Sequence, residues 1–151
     1  DFLSTETSKR DYDLVCAWDT IEHLPHPERF ITKAAQIVKP GGAIALTTGD
    51  IGSWNARLRG KQWRLIHPPT HVHYFTIASM KTMLERHGFE LVHKEHCGFY
   101  RSVDQAVCSI FALKMGKPGL YQAIKKTGIT NFDFYLNLYD IMYVIARKKS
   151  V

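Results

Sequence analysis

Leu14 to Trp18 is a short apolar run without helical period, and it stops abruptly at a polar cluster, Asp19, Thr20, Glu22 and His23. Such a run suits a strand buried on both faces of a parallel sheet, where strands read as near-continuous hydrophobic stretches. In an open α/β sheet, ligands bind just beyond the carboxyl ends of the strands. The stretch from Tyr12 to Leu24 therefore constrains the chain twice. It asks for a sheet covered by helices, and it marks one tip of that sheet as the edge of a site.

The chain that follows supplies the rest of a layered fold. Pro25 and Pro27 break the chain, and Pro27 can open a helix without losing a needed donor. Phe30, Ile31, Ala34, Ala35, Ile37 and Val38 recur at helical spacing and form one apolar stripe. Lys39-Pro40-Gly41-Gly42 ends that helix and turns into a second apolar strand, Ala43 to Thr48. Two strands joined by one helix make a right-handed unit, so their tips face the same side and Gly49-Asp50 joins Asp19 there. Residues 49–75 then form a long irregular connection, with a short helix expected over Ser53 to Leu58. Connections of that length are lids, binding loops or disordered segments. Thr76 caps a helix carrying Ile77, Met80, Met83 and Leu84 on one face, Gly88 ends it, and Phe89 to Lys94 reads as a third strand. Val103 to Met115 and Leu120 to Thr127 read as helices, and Ile141 to Ala146 as a fourth strand with a basic tail.

Tyr12 to Leu24, His26 to Phe30 and Val38 to Thr48 together resemble the fourth strand, following helix and fifth strand of a class I S-adenosylmethionine-dependent methyltransferase. Pro68-Pro69-Thr70-His71-Val72-His73-Tyr74-Phe75-Thr76 is similar to a segment of the subgroup that holds ubiquinone-type O-methyltransferases and sugar methyltransferases. The resemblance covers about residues 1–95 and returns at the last strand. It implies an α/β fold: the C-terminal part of a doubly wound, mostly parallel Rossmann-like sheet with helices on both faces. The last strand is then antiparallel, between its two predecessors. The chain reads as one partial domain, 1–151, with core elements and a lid-like loop 49–75 in 1–102. A helical insertion, 103–137, and the last strand and tail, 138–151, complete it. No Gly-x-Gly-x-x-Gly occurs, although the family cradles the methionine part of its cofactor in a glycine-rich turn. The chain therefore reads as the C-terminal part of a longer protein, with weak or no cofactor binding of its own.

The same resemblance distributes roles. S-adenosylmethionine is the implied cofactor, with Asp1 accepting from the adenine amino group and Phe2 against the ring. Trp18, Asp19, Glu22 and His23 line its methionine end, where an ammonium needs acceptors and a sulfonium favours carboxylates and aromatic faces. The plainer reading has Glu22 and His23 only capping and orienting the loop. His71 is the candidate base toward an acceptor hydroxyl or amine. Trp54, Arg57, His73 and Tyr74 are the candidate substrate contacts. Trp54, Arg57, Trp63 and Arg64 can make a lid for an acidic or sugar-phosphate group, or pack as ordinary aromatics under a surface loop. His67-x3-His71-x-His73 offers imidazoles on an extended segment. Without a Cys-x2-Cys or His-Glu-x-x-His beside it, no metal is expected.

Composition narrows the class further. A net charge of +6 comes from scattered lysines and arginines without an aromatic-interleaved basic stripe, so a nucleic-acid partner is not expected. No apolar run reaches membrane-spanning length. Three cysteines form no close pair, which points to reduced thiols in a cytoplasmic protein, with Cys16 a buried strand residue. The expected function is methyl transfer to an oxygen, or a nitrogen, of a small-molecule acceptor, compatible with a homodimer. The alternative is a binding module that kept part of the fold without chemistry and pairs along an open strand edge. A zinc-dependent hydrolase built on the histidines comes third.

Overall fold

The structure is a computed structural model and describes residues 2–4 and 11–150. Chain order opens with β1 (Tyr12–Trp18), α1 (Pro27–Ile37), β2 (Val38–Gly49), α2 (Trp54–Arg59), α3 (Ile77–Arg86) and β3 (Phe89–His96). It continues with β4 (Phe99–Ser102), α4 (Val103–Val107), α5 (Pro118–Lys126), β5 (Asp133–Leu136) and β6 (Ile141–Lys148). These elements form two compact units. One holds the described residues up to Cys97 and from Leu138 on, and the other is Gly98–Asn137.

The first unit is a four-stranded sheet in the order β1-β2-β6-β3. β1 and β2 are parallel, and β6 runs antiparallel to β2 and to β3. Three strands thus point one way, with the last strand inserted against them between its predecessors, as the resemblance implies. Pro27 opens α1, which buries Phe30, Ile31, Ala34 and Ile37. Thr76 and Ser79 close a reciprocal capping box on α3, which buries Met80 and Leu84. Those side chains share one core with Ala17, Ile44, Leu46, Phe89, Met142, Val144 and Ala146. Burying a side chain of that size is worth about 1.5–3 kcal/mol, so this face stabilises the unit.

Two local expectations change. Lys39 to Gly42 is not a turn ahead of the strand but lies within β2. Pairing jumps from Tyr12 opposite Val38 to Leu14 opposite Ala43, so the Pro-Gly-Gly stretch forms a bulge. Gly41 sits there at φ +77°, and a Cβ on Gly42 would meet Val38 Cγ1 at 2.8 Å. Among the described residues, the strand expected to be buried on both faces is instead at the sheet edge. Val15 and Ala17 join the core, while Leu14, Cys16 and Trp18 are exposed on the opposite face. The core side chains of α1 and α3 reach only the first of these faces, so Cys16 is not a buried residue. On the other face, Trp63 and Leu65 close over Gly49, where an added Cβ would stand 3.1 and 2.7 Å from them.

The second unit pairs β4 with β5 antiparallel, from Phe99 opposite Leu136 to Ser102 opposite Asp133. The helix expected over Val103 to Met115 begins as α4 and continues over Cys108–Lys114 as a π-helix. α5 follows and buries Tyr121. Asp104 collects the Tyr121 hydroxyl at 3.0 Å, the Lys125 ammonium at 3.0 Å and the Thr130 hydroxyl at 3.2 Å.

Candidate functional site

At the tip of β1, Asp19 takes φ 45°, a left-handed conformation that aspartate tolerates better than most residues. Its N–H donates to the Thr47 carbonyl at 3.1 Å, and the Thr47 hydroxyl donates to Asp19 Oδ1 at 3.1 Å. The tips of β1 and β2 are thereby locked together. The chain then makes a 3₁₀ turn, Ile21–His23, that buries Ile21 and Glu22.

A strap from the long connection is tied onto this turn. The Glu22 carbonyl accepts from the N–H groups of Val72 at 3.0 Å and His73 at 3.2 Å. The His23 ring donates from Nδ1 to the Thr70 carbonyl at 2.7 Å, and the His71 ring from Nδ1 to the Leu65 carbonyl at 2.8 Å. A carbonyl can only accept, so these partners assign the proton of each ring to Nδ1. In the neutral form of either ring, the lone pair then lies on Nε2. The two rings meet edge to face with centroids 4.6 Å apart. One ligand atom each from Glu22, His23 and His71 lies within 4.8 Å of the others. Glu22 is only 5% exposed, and its Oε2 finds no hydrogen-bond partner among the described residues.

A second node sits at the start of β6. Asp140, 1% exposed, accepts from the Trp63 indole at 2.9 Å, Asn55 at 3.1 Å and the Arg64 guanidinium at 2.8 Å. Its carbonyl takes the N–H of Asp50 at 2.9 Å. The buried Asp50 carboxylate in turn accepts from Gly52 N–H at 2.8 Å and His96 Nε2 at 2.9 Å. The connection is therefore pinned at both ends, by Asp140 near its start and by the strap near its close.

The residues singled out in the sequence divide accordingly. Glu22, His23 and His71 come together, and Asp19 stands on the same tip. His73 reaches the Pro25 carbonyl at 3.2 Å, and the Tyr74 hydroxyl donates to the His71 carbonyl at 3.2 Å. His67 bonds Thr70, its ring centroid lies 6.2 Å from that of His71, and among the described residues the three histidines of the His67-x3-His71-x-His73 pattern form no common ligand cluster. Trp18 is exposed, its ring 5.9 Å from Tyr143. Phe2 packs on Phe30 with centroids 4.8 Å apart, and Asp1 lies outside the described residues. Trp54 and Arg57 are exposed on α2, and among the described residues neither joins the strap. Trp63 and Arg64, read as lid residues, are held by Asp140 instead, because a buried indole N–H and a guanidinium both need an acceptor. Asp140 and Asn55 escaped the sequence reading. The usable signal was a tryptophan-arginine pair in a loop, which calls for a carboxylate elsewhere.

A family model described as a methyltransferase domain matches residues 2–94. A mitochondrial ubiquinone biosynthesis O-methyltransferase of Dictyostelium discoideum is 40% identical over 47 residues, 31% of this chain and 14% of that protein. The corresponding enzyme of Citrobacter koseri is 33% identical over 64 residues, 41% of this chain and 26% of its own length. These matches thus span about a quarter of the curated relatives or less. Among solved structures, a SAM-dependent methyltransferase of Thermotoga maritima superposes with a TM-score of 0.59 at 14% identity, covering 98% of this chain and 61% of that one. That likeness concerns the fold.

Proposed function

The chain belongs to the methyltransferase-domain family, and from that premise we propose that it carries part of the site of an S-adenosylmethionine-dependent methyltransferase acting on an oxygen, or a nitrogen, of a small molecule. The observation that carries the reading is the family match over residues 2–94, which takes in both locked strand tips and the strap. The residues present fit the cofactor in part. Asp19 and Glu22 bring carboxylates to the tip for an ammonium, and Trp18 offers an exposed aromatic face to a cation. The glycine-rich turn does not occur in this sequence.

When bound, the cofactor supplies a methyl group on a sulfonium, open to in-line displacement by an acceptor lone pair. Such a displacement depends more on close approach than on strong acid-base help. The chain's part is therefore chiefly to position. The Thr47–Asp19 lock fixes the tip, and the hydrogen bonds to the Glu22 carbonyl fix the strap beside it. His71, with its lone pair on Nε2, is our choice to take the acceptor's proton. His73, Tyr74, Trp54 and Arg57 are our choices for acceptor contacts, in a protein of the cytoplasm. No described helix is long and apolar enough to cross a membrane.

A second reading is a non-catalytic module that pairs with a partner or a second copy along β1. It is favoured by the exposure of Tyr12, Leu14 and Trp18 on that edge strand. Calorimetric titration of S-adenosylmethionine, on this chain and on one extended upstream, separates the two. Binding by the extended chain alone, or by both, supports the methyltransferase. Binding by neither leaves the module.

A further inference from the structure

We propose that Glu22, His23 and His71 form a mononuclear zinc site with an open coordination position. The inference rests on the geometry of these three residues and stands whether or not the chain transfers methyl groups. Two imidazoles and a carboxylate are a donor set that suits Zn²⁺. Three protein ligands leave a further position for water or a substrate oxygen, the arrangement of a catalytic rather than a structural zinc.

Four observations carry the assignment. One ligand atom from each residue already lies within 4.8 Å of the others. Tetrahedral zinc with bonds near 2.0–2.1 Å puts its donors roughly 3.4 Å apart, so the three need close by no more than about 1.4 Å. Second, His23 and His71 both give their Nδ1 proton to a backbone carbonyl. That is the outer contact which ligating histidines use to fix ring and tautomer, with Nε2 presented to the metal. Third, the buried Glu22 Oε2 lacks a partner among the described residues. Such an atom is costly unless a proton donor or a cation meets it. Fourth, the ligands come from segments 48 residues apart in sequence that are tied by backbone hydrogen bonds from Val72 and His73 to Glu22, so the cluster is built rather than accidental. The neighbouring histidines are otherwise engaged, His67 with Thr70 and His73 with Pro25.

A zinc ion here takes the His71 lone pair and the Glu22 carboxylate, so it excludes both the proton-accepting role of His71 and the ammonium-accepting role of Glu22, which leaves the ammonium to Asp19. The test is equilibrium dialysis of the whole chain against Zn²⁺ with metal analysis, repeated with Co²⁺ for its visible absorption. One zinc per chain is expected, undisplaced by Mg²⁺ in excess. Glu22→Gln and His71→Gln should each weaken it by about 100-fold or more, while His67→Gln leaves it unchanged. Circular dichroism checks the fold, and Glu22→Gln preserves the side-chain volume should the histidine variant unfold. Failure to retain zinc, retention unaffected by Glu22→Gln, or an equal loss with His67→Gln overturns the site. The calorimetry above reads cofactor binding separately, so either proposal can fall alone.

Discussion

Asp140 and Asp104 have nearly the same set of partners and do different work. Each carboxylate takes one cation, one aromatic donor and one small polar side chain: Arg64, Trp63 and Asn55 on Asp140, and Lys125, Tyr121 and Thr130 on Asp104. The Asp140 side chain is 1% exposed and that of Asp104 27%, with 48% for Lys125. A buried carboxylate that loses its donors, or buried donors that lose their carboxylate, have no water to turn to. Exposed ion pairs are screened and contribute little. The reach differs too. Asp140 ties residues 76 to 85 positions away, whereas the partners of Asp104 lie 17 to 26 away. One network places a distant loop on the sheet, and the other fastens neighbouring turns.

The largest expected effect follows from that contrast. Asp140→Ala leaves the Trp63 N–H buried without an acceptor and removes one of the two carbonyl or carboxylate contacts of the Asn55 amide. Arg64, with a third of its side chain exposed, can turn to water and limits the damage. A loss of about 3 kcal/mol is expected from denaturant melts followed by tryptophan fluorescence. Hydrogen exchange should accelerate over residues 53–66 and leave the β4–β5 pair unchanged. A cost below about 1 kcal/mol would erase the distinction drawn between the two carboxylates.

What the sequence made legible follows the same division between near and far. The apolar stripe of α1, the Thr76 cap and the four strands of the first unit are written in short-range patterns, and the structure carries all of them. The insertion of β6 between β2 and β3 came from the resemblance, since nothing local states which strands will pair. The exposure of Leu14 and Cys16 was illegible, because an apolar run does not say how many faces its neighbours cover. The strap was half legible. Glu22, His23 and His71 each stood out alone, but the tie between the Glu22 carbonyl and Val72 is a tertiary fact. Asp140 carried no motif at all. The pairing of β4 with β5 was likewise missed, as both are short and lie among helical patterns.

Trp63→Phe probes the buried network more gently. It removes the indole N–H together with the Cη2 and Cζ2 atoms that lie over Gly49, leaving Asp140 Oδ2 with Asn55. A cost of about 1–2 kcal/mol is expected from the lost hydrogen bond and the smaller ring, measured by thermal melts. The matching change in the other network, Tyr121→Phe, should cost less, because water can replace the lost hydroxyl at Asp104. The reverse ranking would mean that reach and burial do not decide the worth of these carboxylates.

The smallest effect is a pH window. The Lys125 ammonium, with help from Tyr121 and Thr130, holds the Asp104 carboxyl below the ordinary aspartate range. The Tyr121 hydroxyl and then Asp104 hold the Lys125 ammonium above its ordinary value. A lowered carboxyl contributes stability above its unfolded value, about 3.9, and loses it as pH falls through the folded one. A raised ammonium contributes below its unfolded value, about 10.4, and loses it as pH rises through the folded one. The latch on α5 should therefore be level between about pH 4 and 10 and weaken outside that span. Carboxyl carbon shifts in NMR should place the Asp104 midpoint below that of an ordinary aspartate, and Lys125→Met should move it back up. Because the pair is partly exposed, added salt should shrink the displacement while leaving the Asp140 network unmoved. An Asp104 midpoint at the ordinary value, insensitive to Lys125→Met, would mean that exposure loosens this carboxylate until it has no partners to compare.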